Sequence, residues 1–131
     1  MDGNRHLRLT VLDEDTVEAV NGHGARLTIH RDGADGFTPL ELLLAALGSC
    51  GAIDFAELMR KQRDPVTPFD VRVDGEKQDM RLTWLRTTYE LGGKHDTGKV
   101  ERARAKTDED LCSVSRTLRA GTTVTHDVAT R

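Results

Sequence analysis

Little in this chain favours a nucleic-acid or membrane partner. Of 131 residues only three are Phe, one Tyr and one Trp, and the formal net charge is −3. A domain that binds nucleic acid needs a basic footprint and aromatic platforms for the bases; neither is present, so no nucleic-acid partner is expected. The longest uninterrupted apolar run, Leu42 to Leu47, falls far short of the ~20 residues that span a bilayer, so no membrane partner is expected either. The first residues, MDGNRHLRLT, are polar and hold no apolar signal core, which predicts a cytoplasmic protein. Low-complexity segments, internal repeats and linkers are lacking, and the length suits a single domain over residues 1–131.

Cysteine is also scarce. The only two are Cys50 and Cys112, and in a reducing compartment a stable structural disulfide is not expected. The two thiols are then either inert buried groups or a working pair. Neither has a Cys or His neighbour at ligand spacing, and the five histidines (His6, His23, His30, His95, His126) are scattered over turns and strands. No metal is expected. Gly92-Gly93 reads as a turn, since no strand-to-helix glycine pattern surrounds it, and no cofactor is expected.

What the chain does have is a leucine-rich run ending around one cysteine, TPLELLLAALGSCGAIDF, Thr38 to Phe55. A helix apolar on all sides is expected to be buried on all sides. Its start is well marked: Thr38 as N-cap, Pro39 as first helical residue and Glu41 as third form a capping box. Arg60-Lys61 suit the C-terminal end of the helix dipole. Gly48 and Gly51 flank Cys50. Glycine within a helix costs about 1 kcal/mol against alanine, so these two need a reason: a close crossing, or access for a substrate.

Around this helix the pattern predicts short strands. Leu7, Leu9 and Val11 alternate with polar residues as a half-buried strand does, Thr16 to Val20 come after a turn, and Asn21-Gly22 lead into Arg26 to His30. After Pro65 and Pro68 come strands at Phe69 to Val73 and Arg81 to Leu91. Lys99 to Ala105 reads as helix, and Thr107 with Asp110 can cap another that runs through Cys112, Val114 and Leu118 to Gly121. The tail, Thr122 to Thr130, is β-prone. Strands in adjacent antiparallel runs argue for α+β, with antiparallel sheets around a long buried central helix.

A helix over residues 38–61 would extend ~36 Å. A globule of this size has a radius of gyration near ~14 Å and a diameter of about 36 Å. One chain covers such a helix with difficulty, so an intimate homodimer is expected.

For chemistry, Cys50 would have to ionise, and an unperturbed thiol near pKa 8.5 is mostly protonated at neutral pH. It lies about three turns into its own helix, beyond the reach of that helix's dipole, so activation calls for a cation from another segment: Arg26, Arg31 or Arg116. Surface solvation is the ordinary fate of each. Glu41 could orient such an arginine, although the capping box already accounts for a Glu there.

At these residues the chain resembles the OsmC/Ohr family of thiol-dependent peroxidases. TPLELLLAALGSCGAID is similar to the family's first-cysteine helix, and RARAKTDEDLCSVSRTLRAG to its second-cysteine segment. The resemblance implies an intertwined α+β homodimer with sites at the subunit interface. It implies reduction of organic hydroperoxides, with Cys50 attacking, Cys112 resolving and an external dithiol closing the cycle. Glu41 is carried over as a third site residue. Two departures stand out. Peroxidase members carry a glutamate directly after the proline, where this chain has Leu40, and an arginine after the first hairpin, where residues 17–24 hold none. On these the chain is similar to the OsmC-like branch, for which the alternative is a non-peroxidase that binds a small apolar ligand or senses redox state. A third reading is a hot-dog thioesterase with Asp54 or Glu57 as base, which needs no cysteine.

Overall fold

The computed structural model describes Gly3 and residues 5–130. Its elements run β1 (Arg8–Val11), β2 (Thr16–Val20), β3 (Arg26–His30), α1 (Pro39–Lys61), β4 (Asp70–Gln78), β5 (Arg81–Glu90), α2 (Thr97–Lys106), a single π-turn (Thr107–Leu111) and α3 (Ser113–Ala120). The chain divides into two compact units, Met1–Leu44 and Ala45–Arg131.

The first unit is a three-stranded antiparallel meander in the order β1-β2-β3, with Val11 opposite Val17 and Val17 opposite Ile29. The β2–β3 turn is tied by Asn21, whose side-chain oxygen accepts from the backbone N–H groups of His23 and Ala25 at 3.0 Å each. Asparagine suits that place because its amide replaces the bonds a free turn would lack. The expected half-burial of β1 is not met: in the single chain Leu9 is 51% and Val11 72% exposed. At the start of α1 the capping box is complete. The Thr38 N–H donates to Glu41 Oε1 at 2.9 Å, and the Glu41 N–H to Thr38 Oγ1 at 3.3 Å.

The second unit holds the rest of α1, the β4–β5 hairpin, α2, the π-turn and α3. Phe55, Met59, Val66 and Ala103 form its core, with Leu58, Phe69, Tyr89, Leu91 and Val100 packed around them. Each fully buried side chain of the size of Phe55 or Met59 contributes about 1.5–3 kcal/mol. Three rings lock together, Phe55 to Tyr89 at 4.6 Å and Phe69 to Tyr89 edge-on at 6.1 Å between centroids. The loop after α1 is joined to the turn before α2 by His95. One ring nitrogen meets Asp64 Oδ1 at 2.7 Å and the other meets the Gly92 carbonyl at 3.0 Å.

Four expectations need correction. The helix is not buried on every side in the single chain; its buried residues, Gly48, Gly51, Phe55 and Met59, form one stripe, and Ile53 is 68% exposed. The tail from Thr122 to Thr130 forms no strand, because β-propensity without a partner edge gives no ladder. The last helical stretch is broken: the Cys112 N–H donates to the Thr107 carbonyl, five residues back, and Cys112 itself is extended (φ −66°, ψ 104°). The β4 strand also runs further than expected, to Gln78, with an irregularity between Glu76 and Lys77.

By length and composition alone α1, with 23 residues and a mean hydropathy of 1.6, could cross a bilayer. Of the apolar window 22% is buried in the single chain, and the buried Phe55 and Met59 pack with Val66 and Ala103 in the unit's core.

Candidate active site

The glycines of α1 now have their reason. A side-chain carbon added at Gly48 would lie 2.5 Å from Val73 of β4, and one at Gly51 would press on the Tyr89 hydroxyl of β5. The sheet thus comes as close to the helix as the backbone allows, and Cys50, between the two glycines in sequence, faces away from their contact stripe.

The break after α2 delivers the second cysteine. A π-turn inserts one residue into the helical ladder and re-aims the chain beyond it. Cys112 then stands as N-cap of α3, its sulfur accepting from the Ser115 N–H at 3.5 Å. This places the start of α3 beside Cys50, whose Sγ lies 3.7 Å from Ser113 Oγ.

The two thiols are unequal. Burial pushes Cys50 up, but hydrogen bonds donated by the Val114 N–H, the Ser113 hydroxyl, the Cys112 thiol and the Ser113 N–H outweigh it, and the net shift is downward. Burial also pushes Cys112 up; the Ser115 N–H opposes this, while donation to Cys50 and the negative charge there add to it, and the net shift is upward. The start of α3 thus favours ionisation of Cys50 over Cys112, as expected of a thiol at a helix N-terminus, where the dipole favours negative charge. No disulfide joins them.

The groups that lower Cys50 are backbone N–H groups, the Ser113 hydroxyl and the Cys112 thiol, with no cation among them. Arg116 donates to the Asp110 carbonyl at 3.2 Å, while Arg26 pairs with Glu18 and Arg31 with Asp15 in the first unit. Glu41 likewise belongs to the first unit, its carboxylate closing the capping box. The structure brings together Cys50 and Cys112, which were singled out, and adds Ser113, Val114 and Tyr89, which were not. The sequence held one signal for Ser113: a serine directly after a cysteine ahead of an apolar helical stripe is a helix start.

Tyr89 is pushed up to about 12, first by burial and then by the negative charge of Cys112, Asp108, Asp54 and Cys50. Asp54 is raised by burial and by Glu57. Beside the pair lies a cavity of about 440 Å³ whose walls include Leu47, Gly51, Leu85, Tyr89, Thr107, Cys112 and Leu118, with Arg119 and Asp108 also lining it. Neither Asp54 nor Glu57 lines it. The Thr107 hydroxyl is buried and finds no hydrogen-bond partner among the described residues. Among those residues, no cluster of His, Cys, Asp and Glu could hold a metal ion.

Residues 31–127 match the family model described as OsmC-like protein. Protein YhfA of Escherichia coli K12 is 28% identical over 116 residues, covering 83% of this chain and 84% of its own. A hypothetical protein from Aquifex aeolicus superposes with a TM-score of 0.78 at 23% identity, over 92% of this chain and 91% of its own. An OsmC-like protein from Mycoplasma pneumoniae also reaches 0.78, at 16% identity, over 91% and 89%. At these identities the solved structures carry the fold alone: mixed α+β, two antiparallel sheets and a long helix.

Proposed function

The chain belongs to the OsmC-like protein family, and from that premise we propose that it is a thiol-dependent peroxidase reducing organic hydroperoxides. The observation that carries this reading is the Cys50 sulfur 3.7 Å from the Ser113 hydroxyl at the start of α3, the helix that Cys112 caps. The Cys50 thiolate attacks the outer peroxide oxygen, the O–O bond breaks, and the alkoxide takes a proton and leaves as alcohol. Cys50 is then a sulfenic acid. Cys112 attacks its sulfur, the oxygen leaves as water, and a Cys50–Cys112 disulfide results. An external dithiol supplies two electrons to restore both thiols. Stopped-flow oxidation of the reduced protein by cumene hydroperoxide tests the reading: thiol loss no faster than in free cysteine would end it. Cys50→Ser should abolish turnover; a thioesterase would keep acyl-CoA hydrolysis.

The same site in a non-peroxidase would bind a small apolar ligand or sense redox state. The leucine wall of the cavity (Leu47, Leu85, Leu118) and the use of Glu41 as a cap favour that alternative. It predicts ligand binding with no accelerated thiol oxidation.

The working form in this reading is a cytoplasmic homodimer. Leu7, Leu9 and Val11 around β1 and Ile53 on α1 are each more than half exposed in the single chain. Burying each is worth about 1.5–3 kcal/mol, a large share of an ordinary stability of ~5–15 kcal/mol. Folding and association are then coupled, and the melting temperature rises with protein concentration. A well-folded monomer by sedimentation at low micromolar concentration would refute the dimer.

A further inference from the structure

The first turn of α3 is capped by sulfur. A helix leaves its first four N–H groups without partners in its own ladder. Here the Ser113 and Val114 N–H groups donate to the Cys50 sulfur, brought in from α1. The Ser115 N–H donates to the Cys112 sulfur at 3.5 Å, and the Arg116 N–H to the Cys112 carbonyl at 3.0 Å. The Ser113 hydroxyl, 3.7 Å from Cys50 Sγ, adds to these. Cys112 and Ser115 are buried, so water is not at hand to replace the acceptors. No acidic residue stands in the first turn, which leaves an ionised Cys50 as the negative charge that the helix dipole meets there.

Elsewhere α3 is held loosely. At eight residues it is too short to persist by itself in water. Arg119 pairs with Asp108 at 2.6 Å, but both side chains are about half exposed, and exposed pairs contribute little. Beyond the helix, the Thr122 hydroxyl donates to the Thr117 carbonyl at 3.2 Å and ties the tail to α3. Val124 and Val128 of that tail are exposed.

We propose that α3 is the redox-gated element of this protein: a Cys50–Cys112 disulfide removes its sulfur caps and loosens the helix together with the tail it carries. The inference rests on the pair being oxidisable to a disulfide, which the peroxidase and redox-sensing readings share, and it names the element with which a sensor would signal. In the step the two thiols give up two protons and two electrons to a hydroperoxide, which becomes alcohol and water. The Cys50 sulfur then carries no charge, and a neutral sulfur is a poorer acceptor than a thiolate. Bonding to Cys50 also draws the Cys112 sulfur off the Ser115 N–H, already a long contact. The α1 helix does not follow, being seated on Val73 and Tyr89 at Gly48 and Gly51. The cross-link by itself works the other way, since it restrains the unfolded chain and stabilises the domain as a whole. The two effects separate by place: the core tightens while α3 loosens.

The test is amide hydrogen exchange by NMR on the reduced protein and on protein oxidised with diamide, with the disulfide confirmed by mass. The expected result is exchange roughly tenfold faster at Ser113 to Leu118 in the oxidised form. Phe55 and Met59 should exchange no faster, and dithiothreitol should restore the reduced pattern. Cys50→Asp, which keeps a negative charge at the helix start and forms no disulfide, should hold α3 at its reduced protection in the presence of diamide. Equal or slower exchange at α3 in the confirmed disulfide, or a Cys50→Asp protein that loosens with diamide, overturns this inference and leaves the peroxidase reading standing. A disulfide that loosens α3 but forms with diamide and not with cumene hydroperoxide overturns the peroxidase reading and leaves this inference standing. Failure of diamide to join the two cysteines overturns both.

Discussion

Replacing Gly51 by alanine sets two opposite effects against each other. On helix propensity alone the change stabilises by about 1 kcal/mol. The added carbon, however, would press on the Tyr89 hydroxyl. That hydroxyl is the far end of a side chain, which usually swings aside cheaply. Here the ring is held between Phe55, tilted at 4.6 Å, and Phe69, edge-on at 6.1 Å, so it moves only by unpacking the core. Overpacking of this kind costs roughly 1–3 kcal/mol. The clash should at least cancel the propensity gain, with a net loss of about 0–2 kcal/mol and a melting temperature lower by up to roughly 8 °C. Tyr89→Phe removes the obstructing oxygen, so Gly51→Ala in that background should recover most of the loss, a coupling of about 1–2 kcal/mol in a double-mutant cycle. Urea titrations of the four proteins with unchanged slopes measure it. A Gly51→Ala protein more stable than the parent by the propensity increment, with the two substitutions additive, would refute the close approach of β5 to α1 at this point.

Ser113→Ala removes one donor from Cys50 and should raise its pKa, seen as a shift to higher pH of the alkylation-rate profile, with the fold retained; an unmoved profile would exclude that hydrogen bond. Glu41→Ala should cost about 0.5–2 kcal/mol through the lost cap while Cys50 keeps its alkylation rate, and a collapse in thiol reactivity at full stability would instead make Glu41 part of the site. The pair His95 and Asp64 predicts a stability window in pH. Hydrogen bonding to Asp64 raises His95, so its contribution is full below about pH 6.5 and is lost as pH rises through the raised value. Hydrogen bonding from His95 lowers Asp64, so its contribution is full above about pH 3.9 and is lost as pH falls through the lowered value. His95→Gln should flatten the alkaline side of a melting-temperature profile, and an identical slope there would show that the pair does not couple to folding.

The features legible in the residues are local. The capping box at Thr38, Pro39 and Glu41 needs only neighbours in sequence, and it formed as the spacing dictated, as did the hairpin turn at Asn21 between the strands expected at Thr16 to Val20 and Arg26 to His30. The demand for a reason behind Gly48 and Gly51 was also local, since helix propensity sets their cost wherever the chain goes. Which segments would meet them was not. Val73 and Tyr89 come from strands more than twenty residues away, and no periodicity encodes such a pairing. The same holds for the activation of Cys50. The sequence pointed to a charged side chain because charges are visible in it, whereas a helix N-terminus is made of backbone and appears only once the chain is placed. It exists here because a π-turn, invisible to a 3.6-residue pattern, breaks the last helix at Cys112. Local spacing therefore marked most of the elements and named both thiols; their meeting and the opposite shifts of their pKa values depended on long-range packing, where backbone dipoles and burial, rather than residue type, set the chemistry.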